Sequence, residues 1–444
     1  MSNGIPRRAF VGQMAMAGAA FHIVPRRVLG GPGHQAPSDT LNVACIGVGG
    51  MGASDVRGMS DENIYALCDV DDTRAARSFN AFPLAKRYRD FRVMLERDGD
   101  NIDAVTVSTP DHTHTVAAML ALSMGKHVYC QKPLTRTIWE TRQLASAAHD
   151  SGLSTQMGNQ GHSWEGTRQI REWVEAGWIG TVREVQYWTN RPIWPQAIER
   201  PLETYHVPQH MDWNLWLGPA PERPYHPAYA PFNWRGWWDY GTGALGDIAC
   251  HSMDAAFWAL DLGYPTRIEP ESTALFRETA PAVSRIVYHF PARGNRSAIK
   301  VVWRDGSLTP PRPTDLADGQ RWPPGDSGQL WVGDEGTLVA GIYGDNPRLV
   351  NESRHTELMA NPPEETYART DGVYAEWTAA CKSGGRAGSD FATHAGPLTE
   401  MVLLGNLAVR SAKTLEIDQS TGQVTNTTIP EEFLRPEYRE GWSW

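Results

Sequence analysis

The chain reads as an α/β protein: a doubly wound parallel sheet comes first, then an α+β region with a large, mostly antiparallel open sheet. Three observations predict this. From residue 41 to 160, β-rich runs alternate with helix-compatible stretches. The first of those runs ends in a glycine-rich turn. Beyond residue 160 the alternation stops, and β-like runs succeed one another between Trp- and Pro-rich segments. At 444 residues the length suits two domains plus a tail, which we place at 39–160, 161–444 and 1–38.

Composition narrows the function classes. Hydrophobic residues make up 41% and charged residues 21%, enough apolar material for sizeable cores. The net charge of −10, with no Lys/Arg run, excludes a general nucleic-acid binder, which needs clustered cations. Five cysteines without CxxC spacing argue against a disulfide framework or a structural zinc site. The outlier is tryptophan: 11 of 18 fall between Trp164 and Trp258.

The first 38 residues hold no Asp or Glu. Arg7-Arg8 precedes a weakly apolar run too short to span a membrane. Arg-Arg-x-Phe resembles a twin-arginine (Tat) export signal, so we expect an exported, periplasmic protein, or a cytoplasmic one if the signal does not function.

The run from Leu41 to Val48 is the first strand. It closes in Gly47-Val-Gly49-Gly50-Met51-Gly52, and a polar helix follows. G-x-G-x-x-G between strand and helix marks a dinucleotide cradle. Its glycines permit a tight turn, close approach of backbone to a pyrophosphate, and close helix–strand packing. The helix start then offers unpaired N–H groups to phosphate. The next strand ends at Asp69, 22 residues after Gly47. A carboxylate there accepts from ribose hydroxyls and repels a 2′-phosphate, which favours NAD; Arg74 nearby leaves NADP open. Strands follow near residues 102–108, 126–130 and 153–157, each ending in a polar turn. Ser108-Thr109-Pro110, Gln131-Lys132-Pro133 and Gly158-Asn159-Gln160 therefore sit at the carboxyl edge, where doubly wound sheets bind ligands. His112 and His114 would share a face on an extended segment, but supporting ligands are lacking, so we expect no metal. His114 is expected to cap or pack near the cofactor.

Gly47-x-Gly49-x-x-Gly52, Asp69, Ser108-Thr109-Pro110 with His114, and Lys132-Pro133 together resemble the Gfo/Idh/MocA family, the glucose–fructose oxidoreductase and inositol dehydrogenase group. A second signature is Gly241-Thr-Gly243-Ala-Leu-Gly-Asp247 through His251 to Asp254. The likeness spans roughly residues 40 to 260 by motif. It implies a Rossmann first domain and a second-domain sheet through which copies assemble as a dimer or tetramer. One departure is Gln131, where the family usually has Glu.

In the second region, runs at 183–188, 285–290, 297–303 and 329–333 read as sheet strands. Residues 305–327 read as an irregular insertion, and 396–410 as a core helix.

The chemistry concentrates on three residues. If Leu245 onward is helical, Asp247 and His251 lie one turn apart on one face. Asp247 would then orient His251 and raise its basicity, making it a general base. Lys132 would stabilise a developing alkoxide. In the resembling family the matching Lys and Asp-x-x-x-His positions are catalytic. The remaining candidates for the cofactor are Gly47, Gly49, Gly50, Met51, Gly52, Asp69, Arg74, Ser108, Thr109, Pro110, His114, Gln131 and Asn159. For a carbohydrate they are Gln160, Trp188, Arg191, Trp234 and Arg235, with Trp194, Trp237 and Trp238 as further aromatic faces. The expected function is hydride transfer between a sugar, glycoside or cyclitol hydroxyl carbon and a tightly held nicotinamide cofactor. Two alternatives stand beside it: a glycosidase or lyase acting through transient oxidation and elimination, and a non-catalytic dinucleotide or sugar binder.

Overall fold

The computed structural model describes residues 39–444, and the compact body runs from Leu41 to Trp444. Arg7 and Arg8, and with them the export signal, lie outside the described residues. Six strands form the first sheet: β1 (Asn42–Ile46), β2 (Asn63–Cys68), β3 (Lys86–Tyr88), β4 (Ala104–Val107), β5 (His127–Cys130) and β6 (Thr155–Met157). They are all parallel, in the order β3-β2-β1-β4-β5-β6. The order reverses between β1 and β4, and there a crevice opens at the strand ends. β3 is a three-residue polar strand (Lys-Arg-Tyr) that leaves no hydrophobic signal in the sequence.

The second sheet has eight strands: β7 (Val182–Trp188), β8 (Arg267–Ser272), β9 (Ser284–Phe290), β10 (Ile299–Arg304), β11 (Gly328–Gly333), β12 (Thr337–Ala340), β13 (Arg348–Leu349) and β14 (Leu415–Glu416). The order is β13-β12-β11-β7-β10-β9-β8-β14, antiparallel except for the parallel pair β7–β10. Register sorts its faces. Val185, Tyr187, Ile286, Tyr288, Val301, Trp303 and Trp331 turn inward and are buried. The other face carries ion pairs such as Lys300–Glu184 and Arg285–Glu271. At its far end the irregular stretch 305–327 covers it, packing Leu316 and Trp322 on Trp188 and Leu330.

Two C-terminal helices close the core. The helix Gly396–Ser411 is apolar almost all round and buried along most of its length, as a fully enclosed helix must be. The helix Val373–Ser383 returns to the first sheet, where Trp377 is fully buried beside Val43, Cys45 and Tyr129. All five cysteines are buried free thiols. Among the described residues no helix is long and apolar enough to cross a membrane.

Candidate active site

A cavity of about 710 Å³ runs along the carboxyl edge of the first sheet and meets the second region there. Its first end is built from the glycine turn. Gly47 has φ +75°, and a Cβ on it would stand 2.7 Å from the Ser108 carbonyl oxygen. A Cβ on Gly52 would stand 1.9 Å from the Gly47 carbonyl oxygen. Only glycine closes this turn. Gly47, Gly49, Gly50 and Met51 line the cavity, whereas Gly52 lies behind them as packing. Asp69 splints the turn: its carboxylate accepts from the backbone N–H groups of Val48 (2.8 Å), Gly49 (3.2 Å) and Asp71 (2.9 Å). Burial pushes this carboxyl up, and the three amides oppose that push. Arg74 lies against Gly50 and lines the cavity with Arg89. Bare backbone N–H groups and the Arg74 and Arg89 guanidinium groups suit a pyrophosphate, and the Asp69 carboxylate can accept from a ribose hydroxyl.

Ser108, Thr109 and Pro110 form the adjoining wall, and Gln131 and Lys132 follow from the end of β5. His114 is not in that wall. The helix holding it starts at Asp111, so His112 and His114 are helical and not on an extended segment. The His114 ring is buried between the carbonyls of Pro133 and Thr109, each 2.9 Å away, and it ties the two turns together. His112 is likewise occupied by the carbonyls of Trp216 and Tyr240.

The Gln131 departure has a local cause. Asp55 is fully buried in the helix Gly52–Gly58, and it accepts from Ser108 Oγ (2.6 Å), Tyr374 hydroxyl (2.7 Å) and Gln131 Nε2 (3.0 Å to each oxygen). Burial raises this carboxyl, and the hydrogen bonds hold it back. A Glu at 131 would face Asp55 with no proton to share. We expect Gln131→Glu to cost about 2–3 kcal/mol at pH 8. The deficit should shrink as pH falls, because a raised carboxyl regains its proton first. Thermal melts across pH check this; a deficit that is constant with pH contradicts it.

At the other end of the cavity the second region supplies the helix Gly243–Ser252. Lys132 Nζ donates to Asp247 Oδ1 and to the Asp247 carbonyl, both at 2.9 Å. Arg235 Nε stands 3.2 Å from Asp247 Oδ1, and Arg235 Nη1 donates to Asp111 at 2.7 Å. Thr242 Oγ1 holds the other Asp111 oxygen at 2.7 Å. Burial pushes the Asp247 carboxyl up, but Lys132 and Arg235 more than reverse it, so it stays well below the usual carboxylate range. His251 lines the same cavity, its ring edge-on to Tyr343 with centroids 4.5 Å apart.

Here the expectation that Asp247 orients His251 is corrected. It shares a face with His251, yet its Oδ1 is shared by Lys132 and Arg235, its Oδ2 faces Arg191 Nε at 3.6 Å, and His251 Nδ1 is buried without a hydrogen-bond partner. Burial and the Lys132 charge hold His251 well below 6.5, against the pull of Asp247. The imidazole is therefore neutral at neutral pH and free to take a proton.

Gln160, Trp194, Arg191, Trp234 and Arg235 also line the cavity, and the Arg235 guanidinium lies over the Trp234 ring at 4.2 Å. Trp188 does not. It is buried on the outer face of the second sheet, with Nε1 donating to the Gly325 carbonyl, because the strand pleat turns it toward the insertion. Trp237 and Trp238 are core residues. Asn159 is fully buried with its amide unpaired, and it does not line the cavity. Sequence reasoning missed Trp164 and Tyr343, which line the cavity. Trp164 follows the Gly158-Asn159-Gln160 edge and was within reach of that argument. Tyr343 enters from a turn after β12, where the sequence carries no signal. Behind the wall, His162 Nδ1 and His394 Nε2 converge on Asp254 at 3.0 and 2.5 Å, a buried trio that anchors the turn after β6.

Comparison with known proteins agrees with this architecture. Residues 41–159 match a model described as "Oxidoreductase family, NAD-binding Rossmann fold" of the Gfo/Idh/MocA group. Residues 167–299 match its companion, "Oxidoreductase family, C-terminal alpha/beta domain". Levoglucosan dehydrogenase of Pseudarthrobacter phenanthrenivorans is 25% identical over 232 residues, which is 49% of this chain and 50% of that protein. Inositol 2-dehydrogenase of Salmonella paratyphi B is 24% identical over 147 residues, 32% of this chain and 43% of that protein. The chain thus spans about half the length of the curated relatives it matches. A solved levoglucosan dehydrogenase in complex with NADH superposes with TM-score 0.56 at 18% identity, covering 86% of this chain and 100% of that one, which shows a shared fold. With two models of one family matching in tandem over more than half its length, the chain belongs to the Gfo/Idh/MocA oxidoreductase family.

Proposed function

We propose that the protein is an NAD-dependent oxidoreductase that transfers a hydride between a hydroxyl-bearing carbon of a sugar, glycoside or cyclitol and a tightly held nicotinamide cofactor. One observation carries this reading: an ammonium and a neutral imidazole, Lys132 and His251, line one cavity with a dinucleotide-type glycine turn. Gly47 to Met51 and Arg74 would hold the phosphates, and Asp69 the ribose. When bound, the nicotinamide supplies the hydride acceptor. His251 takes the substrate hydroxyl proton. Lys132 has three N–H bonds and spends two on Asp247; the third is available to the developing alkoxide. Asp247 serves as the anchor of Lys132. Trp194 and Trp234 offer faces suited to the C–H side of a sugar ring. The names of the relatives, at 24–25% identity, support a sugar or cyclitol substrate.

The test is mass spectrometry of small molecules released from the denatured purified protein, followed by a sugar and glycoside panel read by nicotinamide absorbance. Bound NAD(H) and sugar-dependent reduction are expected. Protein that neither carries nor binds a dinucleotide ends the proposal, and release of an aglycone without net reduction replaces it with cleavage by transient oxidation.

Two further parts of the reading concern location and assembly. Arg7-Arg8 supports export as a folded, cofactor-loaded protein, and Arg7→Lys/Arg8→Lys should retain it in the cytoplasm. On the outer face of the second sheet, Gln186 Oε1 and Arg304 Nη1 are buried without hydrogen-bond partners. That supports a homo-oligomer through this sheet, a dimer or tetramer by light scattering; a monomer would refute it.

A further inference from the structure

We propose that Arg191 reads an anionic group of the substrate, so that the substrate class is sugar acids, meaning hexuronic acids or their glycosides. This rests on the reading of the cavity as a site that oxidises a hydroxyl-bearing carbon. The reason lies in how weakly its charge is paired. Around the reacting end stand three cations, Lys132, Arg191 and Arg235, and two carboxylates, Asp247 and Asp111. Lys132 is spent on Asp247, and Arg235 is shared between Asp111 and Asp247. Arg191 makes the longest of the three ionic contacts to Asp247. Its Nε is buried without a hydrogen-bond partner, and the nearest carboxylate oxygen, Asp247 Oδ2, is 3.6 Å away, beyond hydrogen-bond reach. Its one side-chain hydrogen bond is Nη1 to Asn190 Oδ1 at 2.9 Å, a neutral acceptor. Yet the side chain lines the cavity with 28% of its surface open.

The three cations touch only two carboxylates here, in a chain whose net charge is −10. A guanidinium held only by a 3.6 Å ion pair, to a carboxylate that two other cations share, is poorly compensated in a half-buried wall. A sugar hydroxyl would give it one neutral acceptor. A carboxylate matches the planar fork with two parallel charge-assisted bonds and gives Arg191 an anion that it does not share with two other cations. Lysine has no such fork, so Arg191→Lys should keep part of the charge and lose the bidentate geometry.

The test compares methyl hexuronides with the matching methyl hexosides, in gluco and galacto configuration, on the purified protein with its bound cofactor. Two readouts run in parallel: kcat/KM, and sugar binding by calorimetry, which answers even where no hydride moves. We expect a preference of roughly tenfold or more for the uronide in the better configuration. The uronide-to-hexoside ratio should fall toward one in Arg191→Gln and stay intermediate in Arg191→Lys. A wild-type preference for the neutral sugar overturns the assignment, as does a uronide preference that Arg191→Gln leaves intact, or failure to bind either series. Bound dinucleotide with neutral-sugar turnover but no uronide preference refutes Arg191 while leaving the oxidoreductase standing. Uronide binding that needs Arg191, without any hydride transfer, upholds Arg191 and sinks the oxidoreductase.

Discussion

Replacing Lys132 by methionine is expected to lower kcat by about 10²–10³-fold while leaving dinucleotide binding intact. The magnitude is that of removing one preorganised donor from a developing oxyanion in a water-poor site. Lys132 Nζ is fixed at 2.9 Å from two acceptors of Asp247, so its third N–H points from a defined position and reorganises little during reaction. Methionine keeps the apolar stem and deletes the charge. The fold should tolerate this, because Asp247 retains Arg235 at 3.2 Å and is not left as a bare buried anion. Steady-state kinetics, with a separate titration of reduced cofactor, makes the measurement. Activity within tenfold of wild type would remove Lys132 from the chemistry.

The second large effect is at His251. His251→Gln should reduce kcat/KM by about 10²–10⁴-fold, the usual range for a positioned general base. The pH profile separates this from a packing defect. Burial and Lys132 hold the native imidazole well below 6.5. Wild-type kcat/KM should therefore stay level from pH 8 down through 6.5 and fall only in more acid solution, and the variant should lose that acid limb. Stability follows the same sign. The unfolded histidine takes a proton near pH 6.5 and the native one does not, so the native state is favoured above 6.5 and loses that advantage as pH falls. His251→Gln should flatten this part of the stability curve. An acid limb unchanged by the substitution would show that another group titrates.

How much of this was legible beforehand depends on the range of the forces involved. The glycine turn, Asp69, and the strand ends carrying Ser108 and Lys132 announce themselves because turn geometry and strand–helix periodicity act over a few residues. The pairing of Asp247 with His251 was also inferred from local spacing, and there the hydrogen bond is not made, although the Asp247 charge still raises the basicity of His251. Spacing gave the shared helix face correctly, but the choice of partner was made by a lysine 115 residues away in sequence, whose charge outbids a neutral ring for the carboxylate. Gln131 reads as an anomaly in sequence and makes sense only beside Asp55 and Tyr374, which three separate segments bring together. Trp188 failed for a similar reason: composition marks it as a sugar-binding aromatic, and strand register turns it to the far face of the sheet.

The sequence by itself determined the parallel nucleotide-type sheet, the carboxyl edge as the site of chemistry, the identity of Lys132 and His251 as candidates, and the order of the two regions. The sheet, its carboxyl edge and the order of the regions are consequences of local backbone preference and hydrophobic period, and the two candidates come from motif spacing together with the family resemblance. Only the tertiary structure decided which charges meet, which of several tryptophans face the cavity, that Tyr343 reaches His251 from a distant turn, and that Arg191 is left without a carboxylate of its own. Those are matters of long-range contact and desolvation, set when chain segments hundreds of residues apart exclude water together.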